Sequence, residues 1–256
     1  MLSILYSDLR KSLNSRTVKL GFAVSAGVPV FAYVLYRIIY KLAGFNSPVY
    51  GDSALLGYQC IAIFEVAAVI TAIFTSDFND GIIRNKIASG ATRTSVLVSG
   101  VLTSVIISLT FTIASALVAY LVTALLTPGF ETFTWVEATD YILAMTISES
   151  AIAVVSAVIL FCLEGKKIAV TIPLGLAFLS YIFSSIVMEK LYPQNSVCTL
   201  TGLRLTVFTL YDRYCPYAHL VGTMRWNFGS YVIGSGIFVI VFMAIGLLIF
   251  NKKDLI

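Results

Sequence analysis

The residues of this chain that could do chemistry fall into three groups. The first is a polar stretch at 76–94, Ser-Asp-Phe-Asn-Asp-Gly-Ile-Ile-Arg-Asn-Lys-Ile-Ala-Ser-Gly-Ala-Thr-Arg-Thr, set between two long apolar runs. Asn79 or Asp80 offers a side-chain oxygen to the free N–H groups of a helix start. Gly90 suits a left-handed helix stop. The expectation is a helix of about two and a half turns over 81–89. Its Ile82, Ile83 and Ile87 would face the ends of the spans or a partner's groove, and Arg84 and Lys86 would face acidic partner groups. That is docking chemistry; the same cations would equally serve an ordinary positive-inside loop.

The second group is Glu65 and Glu149, each well inside an apolar run. An ionised carboxylate there costs a few kcal/mol on insertion scales. Each reads either as a polar wall for a cationic or amphipathic substrate, or a proton-coupled step, or as a protonated carboxyl bonded to a neighbouring helix. The third group lies in the segment 189–229: His219, Arg204, Cys198 and Cys215. A single histidine in a polar loop reads as a solvated side chain. The two cysteines would close a ring of roughly 18 residues, worth about 3 kcal/mol in the chain-entropy model, if that face is oxidising. Otherwise they are free thiols.

What is missing narrows the function. No G-x-x-x-x-G-K-[ST] loop is present, so ATP phosphates are not held in the P-loop manner. No H-E-x-x-H occurs and His219 is the only histidine, so no metal site and no catalytic residue are expected in this chain. Cys60 and Cys162 sit in apolar runs as small core residues.

The elements that must position these groups are membrane spans. The chain has 256 residues, 59% hydrophobic and 12% charged, with a net charge of +4. Soluble domains carry roughly a quarter charged residues. Six apolar runs reach the length that crosses a bilayer, at 18–40, 54–75, 96–126, 141–163, 168–188 and 230–250. The fold class expected is an all-α membrane protein in one domain over 1–256. With the N-terminus inside, eleven Lys and Arg residues fall on the inner side and six on the outer. Four of those six lie in the one long outer loop, where the rule is weaker. Both termini are therefore expected in the cytoplasm. The net charge belongs to membrane faces, and no nucleic-acid partner is expected.

Residues 1–17 read as an interfacial helix feeding the first span. Leu2, Leu5, Leu9 and Leu13 recur at helical spacing with Tyr6 beside them, while Asp8, Arg10 and Lys11 fall off the stripe. In the outer loop 127–140, Phe130, Phe133 and Trp135 suit the headgroup level. Within the outer loop 189–229, the stretch 197–210 is apolar but too short to span and is interrupted by Arg204; it reads as re-entrant or interfacial.

The pattern Asp77-Phe78-Asn79-Asp80-Gly81, then Ile83-Arg84-Asn85-Lys86, then Gly90 and Arg93, resembles the loop after the second span of type-2 ABC export permeases. The layout of interfacial helix, six spans, long outer loop and short basic C-terminus is similar along nearly the whole chain. The resemblance implies a bacterial plasma-membrane permease that pairs with a second permease copy and docks on two separately encoded ATP-binding cassette subunits. ATP and Mg would be held by those ATPases and not by this chain. The coupling residues it implies are Asp80, Arg84, Asn85, Lys86, Gly90 and Arg93. The candidate substrate pathway is Glu65, Glu149 and Arg204, and the cargo is an amphipathic or hydrophobic peptide or drug.

Overall fold

The computed structural model describes residues 2–45, 47–164, 167–193, 198–221 and 227–252. All its regular elements among these are helices, in the order α1 Leu2–Asn14, α2 Arg16–Leu42, α3 Asp52–Asn79, α4 Ile82–Ala88, α5 Arg93–Leu126, α6 Trp135–Leu163, α7 Lys167–Leu191, α8 Gly202–Tyr214, α9 Pro216–His219 and α10 Phe228–Lys252. Six of them, α2, α3, α5, α6, α7 and α10, are long and apolar enough to cross a membrane. The chain is a multi-pass, all-helical membrane protein. Gly165-Lys166, residues 194–197, Arg225 and Lys253 lie outside the described residues.

The spans run a few residues beyond the apolar runs that announce them, and side-chain caps close the starts of three. Ser15 accepts the Val18 N–H at the start of α2, and Thr92 accepts the Ser95 N–H at the start of α5. Thr134 and Glu137 form a reciprocal capping box on α6. At 34 residues α5 is about 51 Å long, well over a hydrocarbon core of ~30 Å.

The spans pack around α6, the most buried of them, which meets α3, α5, α7, α9 and α10. Close approach is visible at Gly100, where an added Cβ would lie 2.5 Å from the Phe161 ring. At Gly234 an added Cβ would fall 2.2 Å from the Tyr214 carbonyl oxygen, so α10 touches the end of α8 backbone to backbone. At the α3 N-terminal end, the Asp52 carboxylate accepts the backbone N–H groups of Glu131 (2.7 Å) and Thr132 (3.0 Å), which pins the 127–134 turn. Phe130, Trp135 and Tyr120 cluster beside it, with Tyr120 stacked on Trp135 at 5.6 Å.

Candidate functional site

Two sets of polar residues stand out, one at the α1/α4 end of the bundle and one at mid-span. At the first, α3 runs on to Asn79, past the expected cap. Asp80 closes its C-terminus and accepts a hydrogen bond from Ser76 Oγ at 2.9 Å. Gly81 then turns left-handed (φ 68°) and α4 begins at Ile82 with no side-chain cap. The expectation that Asn79 or Asp80 caps a helix starting at 81 is corrected. The turn is made by backbone freedom that glycine alone supplies cheaply. Gly90 is left-handed (φ 98°) as expected. Ile83 is fully buried, with Ile82 and Ile87 partly so.

The cations of this region are mostly engaged within the chain. Lys86 pairs with Asp8 of α1, and Lys11 of α1 pairs with Asp77 at the end of α3. Asp8 also accepts from Ser99 Oγ of α5 at 2.8 Å. The Arg93 guanidinium donates to the Asn251 carbonyl oxygen at the end of α10. Arg84, Asn85 and Gly90 remain exposed. Lys86, expected to face acidic partner groups, instead fastens α4 to α1.

That fastening explains the orientation of α1. Asp8 and Ser12, one turn apart, are buried against α5, while Leu2, Tyr6 and Leu13 are exposed. At 100° per residue the Asp8/Ser12 edge lies beside the leucine stripe and not opposite it. One edge of α1 therefore binds the protein, the next presents apolar side chains, and Arg10 and Asn14 lie on the far side. Sequence reading grouped Asp8 with the solvent-facing residues and missed its pairing. Its signal was the i, i+3 pair Asp8 and Lys11 beside a leucine stripe.

The second set sits at mid-span. Glu65 is residue 14 of the 28 in α3, and Glu149 is residue 15 of the 29 in α6. Glu65 Oε1 is 2.8 Å from Ser25 Oγ of α2, and Glu149 bonds to Thr112 of α5. No salt bridge reaches either carboxyl among the described residues. Glu149 is 1% exposed and lines a narrow pocket of about 20 Å³ with Tyr58, Gln59, Ser115 and Tyr141. That is room for about one water. Glu65 is 9% exposed and lines an open groove between α2 and α3. Arg204, the third candidate pathway residue, is exposed on α8 and far in contact terms from both glutamates.

His219 overturns the expectation of a solvated loop side chain: it is 0% exposed. Its Nδ1 lies 2.8 Å from Ser148 Oγ and its Nε2 lies 3.0 Å from the Arg213 carbonyl. A carbonyl only accepts, so Nε2 carries the proton and Nδ1 accepts from Ser148. Tyr231 stacks on the ring at 3.6 Å, and Gln59 Nε2 donates to the His219 carbonyl at 3.1 Å. Burial pushes the His219 pKa down to about 4. Ser148 is also fully buried, so the pair holds the segment 215–220 among α6, α7 and α10 and is closed to a substrate. Among the described residues of 189–229 the buried part is this short piece, while α8 has no buried residue. The signal was the run Pro216-Tyr217-Ala218-His219-Leu220, apolar around one histidine.

Cys198 and Cys215 are both free thiols, so the expected bridge is not formed. Cys215 serves the α8/α9 corner, its backbone N–H donating to the Tyr211 carbonyl at 3.0 Å. Burial pushes its thiol pKa up.

Six apolar helices packed on an apolar core define the class, a polytopic membrane protein. Set against known proteins, the chain matches no family description and no curated protein.

Proposed function

We propose that this chain is the transmembrane permease subunit of an ATP-driven exporter in a bacterial plasma membrane, moving an amphipathic or hydrophobic peptide or drug outward. It works with a second permease copy and two separate ATP-binding cassette subunits, which hold ATP and Mg and do the hydrolysis. The observation that carries the reading is the α1–α4 clasp. A loop that only obeyed charge bias would not need a left-handed glycine at each end and a partly buried ion pair to a second helix. A helix that transmits force between two spans needs both. Clasped in this way, α4 is a rigid lever with Arg84 and Asn85 exposed on it as a surface for an acidic partner.

In this reading α1 lies in the inner interface with its leucine edge in lipid, and both termini are cytoplasmic. The 198–220 segment dips in from the outer face, held by His219.

Reversing charge at Arg84 tests the docking role. With a partner ATPase present, Arg84→Glu should uncouple ATP hydrolysis from transport while the protein stays folded; unchanged coupling rejects the role. A second reading, an ion-coupled secondary transporter, draws on the two mid-span carboxyls. Transport driven by a proton gradient without ATP would favour it. Neither an ATPase partner nor coupled transport would leave a membrane anchor or assembly protein.

A further inference from the structure

Glu65 and Glu149 share one local design and differ in one respect, and the difference points to a site. Ser25 Oγ is 2.9 Å from the Gly21 carbonyl and 2.8 Å from Glu65 Oε1. Thr112 Oγ1 is 3.1 Å from the Ser108 carbonyl and bonds to Glu149. A hydroxyl has one proton and carbonyls only accept. Each hydroxyl can therefore hold both contacts at once only if the carboxyl brings the proton. A protonated carboxyl keeps both contacts at each glutamate and removes the cost of a bare charge in hydrocarbon.

Glu149 faces a small pocket with room for about one water. Glu65 instead lines a groove of about 530 Å³ that opens sideways between α2 and α3, walled by Leu20, Gly21, Val24, Ile61, Phe64 and Ala68. Leu20 is 67% exposed and Val24 44%, so the groove opens where the spans face lipid. Its volume is in the range of small-molecule sites. Ile61 also lines the neighbouring groove of about 550 Å³ higher on the same two helices, so the apolar channel continues past Glu65. The second Glu65 oxygen is buried without a formed hydrogen bond, as is the Tyr58 hydroxyl that adjoins it two turns away on α3. No other ionisable side chain lines the Glu65 groove; Tyr58 and, across the core, Glu149 are the titratable groups that face Glu65.

We infer that the α2/α3 groove binds lipophilic amines, with Glu65 giving its proton to the amine. A neutral amine with an apolar body enters from the bilayer. Its nitrogen lone pair takes the Glu65 proton: one N–H bond forms, one O–H bond breaks, and an ammonium–carboxylate pair remains with no net charge carried into the hydrocarbon. The ammonium donates to the Glu65 carboxylate, which turns toward the groove to meet it, and Ser25 and Tyr58 can give their protons to its oxygens. Mid-helix depth excludes the amine of a lipid headgroup, which stays about half a bilayer away. This narrows the cargo of the proposed exporter and rests on that reading for its purpose; binding itself needs no ATPase.

The test uses the full chain in nanodiscs of zwitterionic lipid, with radiolabelled dodecylamine as probe and dodecanol as its uncharged counterpart. The amine should bind saturably and roughly tenfold tighter than the alcohol, the margin expected of a charge-assisted contact. That margin should vanish in Glu65→Gln, while Ala68→Phe should weaken both probes by filling the groove. Infrared spectra report the proton separately: amine should convert one protonated carboxyl band to carboxylate in the wild type and in Glu149→Gln, and none in Glu65→Gln. Equal binding of amine and alcohol would reduce the groove to an apolar cleft and overturn the site. A carboxyl band unmoved by amine, or one lost through Glu149 instead, would do the same. Each of those failures leaves the exporter reading to its own ATPase test.

Discussion

One helix, α3, handles a carboxylate in two ways. Near its C-terminal end Asp77 is paired with a lysine; twelve residues earlier Glu65 meets neutral hydroxyls, Ser25 and Tyr58. The difference is depth. At the end of a span, lysines on α1 can reach in while their stems stay in polar surroundings, so charge is met with charge. At mid-span a lysine would itself be a charge in hydrocarbon, and the cheaper answer is a proton and a hydroxyl. The same contrast separates Asp8, bonded to Lys86 and Ser99, from Glu149, bonded to Thr112. Ion pairs fasten the α1/α4 end. Neutral hydrogen bonds hold the middle and leave it able to change partner.

Breaking an ion pair should therefore cost more than breaking a hydroxyl contact. Lys86→Ala strands Asp8, which is almost buried, and should destabilise the protein by about 3–5 kcal/mol in a denaturant titration. Adding Asp8→Asn should restore most of that loss. A single-mutant cost under about 1 kcal/mol would place the pair among ordinary surface bridges and dissolve the contrast.

A second effect concerns the His219 clasp. Its folded pKa of about 4 lies below the ordinary 6.5, so the unfolded or opened form binds more protons between those values. The stabilisation is fully present above about pH 6.5 and is lost as pH falls toward 4, roughly 3 kcal/mol in all. The protection factors of amides 215–220, with the intrinsic pH dependence of exchange divided out, should fall as pH drops through that window, and His219→Gln should flatten the profile. Protection factors that ignore pH in the wild type would mean that the ring is not held neutral.

At mid-span the effects shrink. Glu149→Leu leaves the polar void without its carboxyl and should cost about 1–3 kcal/mol, whereas Glu149→Gln should cost less, because an amide can still bond to Thr112. Smallest is Ser25→Ala, about 0.5–1.5 kcal/mol for one hydrogen bond. A Ser25→Ala loss as large as that of Lys86→Ala would show that Glu65 is held as an ion after all.

Much of this was readable from residue order. Length and apolarity locate all six spans, with ends that differ by a few residues where caps such as Thr134 and Thr92 extend the helices through polar sequence. Gly90 and the buried isoleucine face of α4 also follow from local chemistry. The partners of charged groups do not. Asp8 is 78 residues from Lys86 and 91 from Ser99, and nothing local marks those contacts. His219 is similar: Gln59 and Ser148, which bond to it, are 160 and 71 residues away in sequence. Composition identifies which carboxyls need an explanation, while only packing decides that Glu65 opens to a groove and Glu149 does not.

The central claim, that the α1–α4 clasp presents a docking surface for an ATPase, is tested most directly by a mild-detergent pull-down of the tagged chain from its native membrane, with mass spectrometry of what comes with it. A stoichiometric ATP-binding cassette subunit, lost when Arg84 is changed to Glu, is the predicted result. A partner-free protein that still moves solute would contradict it.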